Sequence, residues 1–102
     1  MSNSFYVTEA SRINDQFVVT GYPGGIIPLG MSFTRAETID YVDGEKVIKA
    51  DPQPPPQAIM VRVVKILSYD QELPELSELM GGHLVLEGKG VDLIQRGMQL
   101  FE

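Results

Sequence analysis

The sequence predicts an all-β protein, organised as a small barrel or sandwich of short strands. Runs of β-branched and aromatic residues recur along the 102 residues and are separated by Gly, Pro and Asp-Gly turn signals. Hydrophobic residues make up 43% and charged residues 22% of the chain, which is an ordinary globular composition. We therefore expect a single domain over residues 1–102.

A hairpin formed by residues 17–20 and 26–29 is predicted to organise the chain. Both runs are β-prone, and a Pro-Gly-Gly turn lies between them. Pro23 presets φ for the first corner of such a turn, and the two glycines after it adopt positive φ without steric cost. This Gly-rich segment joins strand to strand and lacks the following helix of a phosphate site, so we interpret it as a turn.

The other predicted strands share short β-prone runs bounded by turn residues. They cover residues 5–8, 31–36, 39–42, 46–49, 58–67, 83–87 and 98–101. Residues 9–15 are mostly polar and are interpreted as a loop into the central hairpin. In the strand that follows Gly30, strict alternation places Met31, Phe33 and Arg35 on one face.

Residues 68–80 show the spacing of a helix instead. The apolar residues that recur there at spacings of three and four are Leu73, Leu76, Leu79 and Met80. Pro74 suits a first helical position. We therefore predict one or two helical turns, ended by Gly81-Gly82. Residues 91–94 are predicted to form a brief turn before the last strand.

Residues 37–58 are predicted to contain a second hairpin and a Pro-rich connector. Asp43-Gly44 between two β-prone runs is a strong hairpin signal. Residues 51–57 contain four prolines, which lack the N–H that a sheet interior requires, and we interpret them as a stiff polyproline-like connector. The alternative is that residues 54–56 are the ligand of a Pro-binding groove.

Contact with a partner is predicted at the second hairpin and at the first turn. Unpaired strand edges seek partners, so the edges of this hairpin are a natural surface for a protein partner or for self-association. The predicted contact residues are Tyr22, Tyr41, Val42, Lys46 and Val47.

Charge and cysteine content exclude several classes of function. The formal net charge is −6, with eight Lys and Arg residues, and a negative field disfavours nucleic acid and anionic lipid as partners. The chain has no Cys, which excludes disulfides and thiolate metal sites. It has no apolar run near the roughly 20 residues of a membrane span and no signal-peptide pattern, so we expect a soluble cytoplasmic protein without membrane contact.

No residue pattern predicts catalysis. His83 is the only histidine and has no motif neighbour of the kind a nucleophilic site needs, so we interpret it as a strand-end residue. The acidic residues at 40–51 and 70–78 lack the ligand spacing of a calcium loop, and we interpret them as solvated. We expect no cofactor, no bound metal and no enzymatic activity.

Four segments occur in an order that is similar to a known family. They are Phe17-Val18-Val19-Thr20-Gly21, Gly25-Ile26-Ile27-Pro28-Leu29-Gly30, Leu84-Val85-Leu86-Glu87-Gly88 and Ile94-Gln95-Arg96-Gly97-Met98-Gln99-Leu100. In this order they resemble the second domain of elongation factor Tu and its relatives, from about residue 5 to residue 100. The resemblance implies a small closed or nearly closed antiparallel β-barrel, with residues 37–58 as an extra hairpin and Pro-rich insertion.

The resemblance also implies partners. In the family this barrel packs against partner domains, aminoacyl-tRNA ends and the ribosome, but the chain lacks the phosphate-loop motif of a GTPase. The family's tRNA-end pocket uses a Glu and an Arg, near whose positions Lys65 and Ser68 stand here, so that pocket is not carried over. We expect a non-enzymatic binding module with a protein partner or self-association. The alternatives are a translation-linked RNA or ribosome binder and a structural subunit of a larger assembly.

Overall fold

The computed structural model describes residues 3–38, 40–43, 46–49, 55–78 and 80–102, with backbone only at 40–43 and 46–49. The strands in these ranges are β1 (Ser4–Ile13), β2 (Gln16–Gly24), β3 (Ile27–Pro28), β4 (Ser32–Thr38), β5 (Asp40–Asp43), β6 (Lys46–Lys49), β7 (Gln57–Ser68), β8 (Gln71–Glu72), β9 (Glu75–Leu76), β10 (Gly82–Lys89) and β11 (Met98–Phe101). A 3₁₀ turn, Val91–Leu93, lies between β10 and β11, as the sequence predicts. None of the helical segments in these ranges is long and apolar enough to cross a membrane.

Six strands close into an antiparallel barrel. Their order is β10-β2-β1-β11-β4-β7, and β7 also pairs with β10, which completes the circle. The short β8 extends one end of β7, while β3 pairs with β9 and β5 pairs with β6 in separate two-stranded sheets. The predicted all-β class and the closed antiparallel barrel are therefore confirmed. Closure removes the sheet edges that an open sheet of these strands would expose.

The barrel interior is filled by one apolar cluster. The largest side chains with less than 2% exposure are Phe5, Val7, Val19, Ile27, Phe33, Val61, Val63, Ile66, Leu76, Leu84 and Leu100. They come from all six barrel strands and from the β3–β9 pair. Burial of this apolar surface is the main force that holds the barrel closed.

A β-bulge in β7 changes which residues face the interior. Along the first part of the strand, every second residue up to Val63 is buried. The register against β10 then shifts by one residue at Val64, and the buried positions become Ile66 and Ser68. Such a bulge bends the strand and re-aims the side chains beyond it. Here it turns the Ser68 hydroxyl toward the end of the barrel.

The predicted hairpin between residues 17–20 and 26–29 is wrong. β2 continues through Pro23 to Gly24, and β3 pairs with β9, far along the chain. Pro23 is tolerated inside β2 because β10 pairs with β2 only as far as Gly21, so the strand has a neighbour on one side at the proline.

The hairpin partner of β2 is β1. Their connection is Asn14-Asp15, with φ of 50° and 66°. Two consecutive positive φ values are typical of a type I′ turn, whose twist matches that of the flanking strands. The predicted loop over residues 9–15 is therefore wrong, since β1 continues through the polar residues to Ile13. Residues 11–13 at this end of β1 are all exposed, which accounts for its mostly polar composition.

The predicted helix over residues 68–80 is also wrong. The described part of this segment forms β8 and β9, separated by Pro74. Leu76 is fully buried, and Leu73 and Met80 pack against the same core, whereas Leu79 lies outside the described residues. Leu73, Leu76 and Met80 are spaced as in a helix because short extended segments each place one apolar side chain against the core.

The strand predicted over residues 31–36 is confirmed as β4, with one correction. Met31 and Phe33 are buried as predicted, but Arg35 is exposed, because the register against β7 shifts between Phe33 and Arg35 and Ala36 takes the inward position. The Arg35 guanidinium instead lies over the Phe101 ring, 4.5 Å from its centroid, across the β4–β11 pair.

The remaining strand predictions hold. The strands predicted over 58–67, 83–87 and 98–101 are β7, β10 and β11, and the second hairpin is the β5–β6 pair. In the Pro-rich connector, residues 51–54 lie outside the described residues, and Pro55 and Pro56 are exposed and outside any strand. Gln57, which was predicted to belong to the connector, already pairs with Ala36 of β4 as the first residue of β7.

Candidate binding cleft

An open cleft of about 400 Å³ lies at one end of the barrel, where β2, the C-terminal end of β7 and the start of β10 meet. Two of its lining residues, Tyr22 and Tyr69, are 63% and 85% exposed. Ser68, Thr20 and His83 also line it, and we refer to the site of these five residues as the tyrosine cleft. Among the described residues that line it, none is Asp, Glu, Lys or Arg. Exposed rings in an uncharged cleft suit a ligand without strong charge.

Glycines shape the floor of the tyrosine cleft. A β-carbon at Gly81 would lie 2.8 Å from Cε1 of Tyr22, so the tyrosine ring rests directly on the backbone of this residue. A β-carbon at Gly82 would lie 2.9 Å from the carbonyl oxygen of Leu67, where β10 approaches β7. The ring of Tyr22 is therefore positioned by close packing although most of its surface is exposed.

Hydrogen bonds hold the polar wall of the cleft. The Thr8 hydroxyl donates to the carbonyl of Thr20 over 3.0 Å, and the Ser68 hydroxyl donates to the carbonyl of Gly81 over 3.2 Å. The Thr20 hydroxyl and Nδ1 of His83, directly opposite each other on β2 and β10, lie 2.7 Å apart and share a hydrogen bond. These contacts tie the strands around the cleft together, so its wall is formed before any ligand arrives.

Tyr69 has an unusual backbone conformation. It forms the β7–β8 turn together with Asp70, and the two residues have φ of 52° and 61°. This left-handed region costs roughly 1–2 kcal/mol for a residue with a β-carbon, and bulky residues are rare there. Tyr69 gains little burial in return, since it is 85% exposed. Strained residues of this kind cluster at binding and active sites.

Tyr69→Asn is expected to raise the free energy of unfolding by about 0.5–1 kcal/mol, because Asn accepts positive φ and the mutation removes little buried surface. Equilibrium denaturation in urea measures this. Tyr22→Asn is the matched control, since the same side-chain change falls inside β2 and relieves no strain. A Tyr69→Asn variant less stable than the wild type would show that the ring supports the fold.

The five predicted contact residues divide into two groups. Tyr22 is exposed and lies in the tyrosine cleft, although within β2 and not at a hairpin turn. Tyr41, Val42, Lys46 and Val47 belong to the β5–β6 pair, with Val42 opposite Val47. The side chains of these four lie outside the described part of the chain, so their contact with a partner stays a prediction.

The residue pattern does not predict Tyr69 as a site residue. Tyr69 lies in the segment predicted as helical, and Ser68 is singled out only as a departure from a family pocket. His83, interpreted as a strand-end residue, has an exposed side chain in the cleft wall near the start of β10. The available signal was a Tyr-Asp pair directly after the longest apolar strand, where a tight turn normally carries Asn or Gly.

The polar groups in the wall of the tyrosine cleft are hydrogen-bonded to backbone carbonyls or to one another. Within the described ranges no group of three or more His, Cys, Asp or Glu residues is placed to hold a metal ion. Ser68 is bonded to a backbone carbonyl and His83 to Thr20, so the hydroxyl and the imidazole are engaged with different partners. A base that activates a nucleophile lies within hydrogen-bond distance of it. The hydroxyl that contacts His83 in this way is that of Thr20, at 2.7 Å.

Comparison with known proteins adds no relative. No family model matches the chain, and no significant match was found among curated proteins or solved structures. The resemblance to the second domain of elongation factor Tu thus rests on the four sequence segments.

Proposed function

We propose that the protein is a non-enzymatic binding module that uses the tyrosine cleft to hold a protein partner or a second copy of itself. The observation that carries this proposal is Tyr69, an almost fully exposed ring in a strained backbone conformation beside the exposed ring of Tyr22. Tyrosines supply large contact area at a low cost in side-chain entropy, and they are enriched among the residues that dominate binding energies.

The charge of the molecule supports a protein partner over nucleic acid. The chain carries a net charge of −6, and the described lining of the cleft has no cation to pair with phosphate. Stacking of nucleic acid bases on the two tyrosines is the alternative. In this alternative the protein would be related to the second domain of elongation factor Tu and would act as a translation-linked RNA or ribosome binder. A structural subunit of a larger assembly is the other alternative.

Affinity capture from lysate of the source organism tests the proposal. We expect the tagged wild-type protein to retain a protein partner that survives nuclease treatment. The double variant Tyr22→Ala/Tyr69→Asn should lose that partner by about tenfold or more, because each substitution removes an aromatic contact of the cleft. Quantitative mass spectrometry of the captured material measures the ratio.

Leu29→Ala is the matched control for this capture. Leu29 is also an exposed apolar residue, at 49%, but it does not line the tyrosine cleft. This variant should retain the partner at the wild-type level. Capture of ribosomal material that disappears on nuclease treatment would overturn the protein-partner proposal, and equal capture by the double variant would exclude the cleft.

A further inference from the structure

Pro55 and Pro56, the described prolines of the Pro-rich segment, and the tyrosine cleft lie at opposite ends of one strand. Pro55 and Pro56 are exposed and lead directly into Gln57, the first residue of β7, whereas Ser68 and Tyr69 at the other end of β7 line the cleft. β7 has 12 residues, and at about 3.3 Å per residue its ends are separated by roughly 36 Å along the strand.

This separation keeps Pro55 and Pro56 away from the cleft of their own chain. Residues 51–57 span at most about 22 Å when fully extended, at 3.3–3.6 Å per residue, which is shorter than β7 itself. Contact between the two features therefore requires a second copy of the chain. The two copies can lie side by side in opposite directions or follow one another.

The chemistry of the two features is complementary. Proline has a carbonyl acceptor and no backbone donor, and a polyproline II helix has no internal hydrogen bonds that would occupy its carbonyls. The cleft presents exposed groups that can donate, namely the hydroxyls of Tyr22 and Tyr69, beside their rings. Aromatic-lined grooves are the usual receptors for Pro-rich segments, whose stiffness lowers the entropy cost of binding.

We propose that the tyrosine cleft of one copy binds the Pro-rich segment, residues 51–57, of a second copy in polyproline II conformation. This inference rests on the proposed binding function and names its occupant. It joins the only run of consecutive prolines in the sequence to the strained, exposed Tyr69. Self-association then depends on two separate surfaces, and each can be altered by its own substitutions.

Sedimentation velocity over a range of concentrations tests this proposal with two variants. The segment variant is Pro55→Ala/Pro56→Ala, whose two positions are exposed and outside the strands, so the fold should be unaffected. The cleft variant is Tyr22→Ala/Tyr69→Asn. We expect the wild type to self-associate and each variant to weaken self-association by about tenfold or more.

Mixing the two variants provides the decisive control. The segment variant keeps an intact cleft, and the cleft variant keeps an intact segment. A mixture of the two therefore retains one segment–cleft contact and should associate more strongly than either variant alone. A synthetic peptide of residues 50–58 should compete with this association, and the same peptide with alanine for each proline should not.

Three results would overturn the proposal, and they separate it from the broader function. A wild type that stays monomeric and does not bind the peptide, or a segment variant that associates as well as the wild type, shows that the occupant is wrong. If the cleft variant nevertheless loses a lysate partner, the binding function of the cleft stands. If the cleft variant keeps both self-association and lysate partners, both proposals fail.

Discussion

Gly21→Ala is expected to destabilise the protein by about 3 kcal/mol or more, the upper range for forcing an extra methyl group into a packed site. A β-carbon at Gly21 would overlap the carbonyl oxygen of Tyr6 and lie 2.9 Å from its carbonyl carbon and 3.1 Å from Cε1 of Phe5. The obstacle is backbone, in the tightly paired β1, where Val7 stands opposite Gly21. Relief requires β1 and β2 to separate. Urea denaturation followed by circular dichroism measures the loss.

Gly30→Ala is the control for this effect. A β-carbon at Gly30 would meet nothing within 4 Å, but its φ of 89° is unfavourable for alanine. We therefore expect a loss of only about 1–2 kcal/mol, from backbone conformation alone. If Gly21→Ala proved no more harmful than Gly30→Ala, the close approach of β1 to β2 would be contradicted.

Leu84→Ala is expected to lower the free energy of unfolding by about 2–5 kcal/mol, the range for removing a buried Leu side chain and leaving a cavity. Leu84 is fully buried and stands opposite Val19 of β2 and Ile66 of β7. It therefore packs where β10 closes the barrel. Since domains of this size are stable by about 5–15 kcal/mol, this loss is a large fraction of the total.

Leu29→Ala deletes the same atoms at a residue that is 49% exposed. Its cost should stay below about 1 kcal/mol, because much of the side chain is in contact with water in either state. Thermal and urea denaturation of the two variants together give the comparison. Equal losses would contradict the closure of the barrel through β10.

The strands that the sequence predicts correctly are those whose composition alone identifies them. The long apolar run of β7 and the runs of β10 and β11 are bounded by Gly, Pro or polar residues, and these local features define a strand whatever its partner is. The pairing of strands is not a local property. Pro23-Gly24-Gly25 and Asn14-Asp15 are both acceptable turn sequences, and the choice between them depends on β3 pairing with β9.

The candidate site was predictable only in part, for a related reason. Tyr22 is predicted from the sequence as a contact residue at the first turn, and the structure places it in the cleft, within β2. The position of Ser68 depends on the bulge at Val64. Before the bulge the odd-numbered residues of β7 are buried, and after it the even-numbered residues are. Tyr69 and His83 meet the same cleft because β2, β7 and β10 converge when the barrel closes, and no local pattern encodes that convergence.

In the proposed function, the strained backbone of Tyr69 is retained because it holds the ring in a position to bind a partner. Stability and partner binding of Tyr69→Asn, measured on one preparation, test it most directly. We expect a variant that is more stable than the wild type by about 0.5–1 kcal/mol and that binds its partner about tenfold or more weakly. A variant that is more stable and binds at the wild-type level would contradict it, because the strain would then serve no binding function.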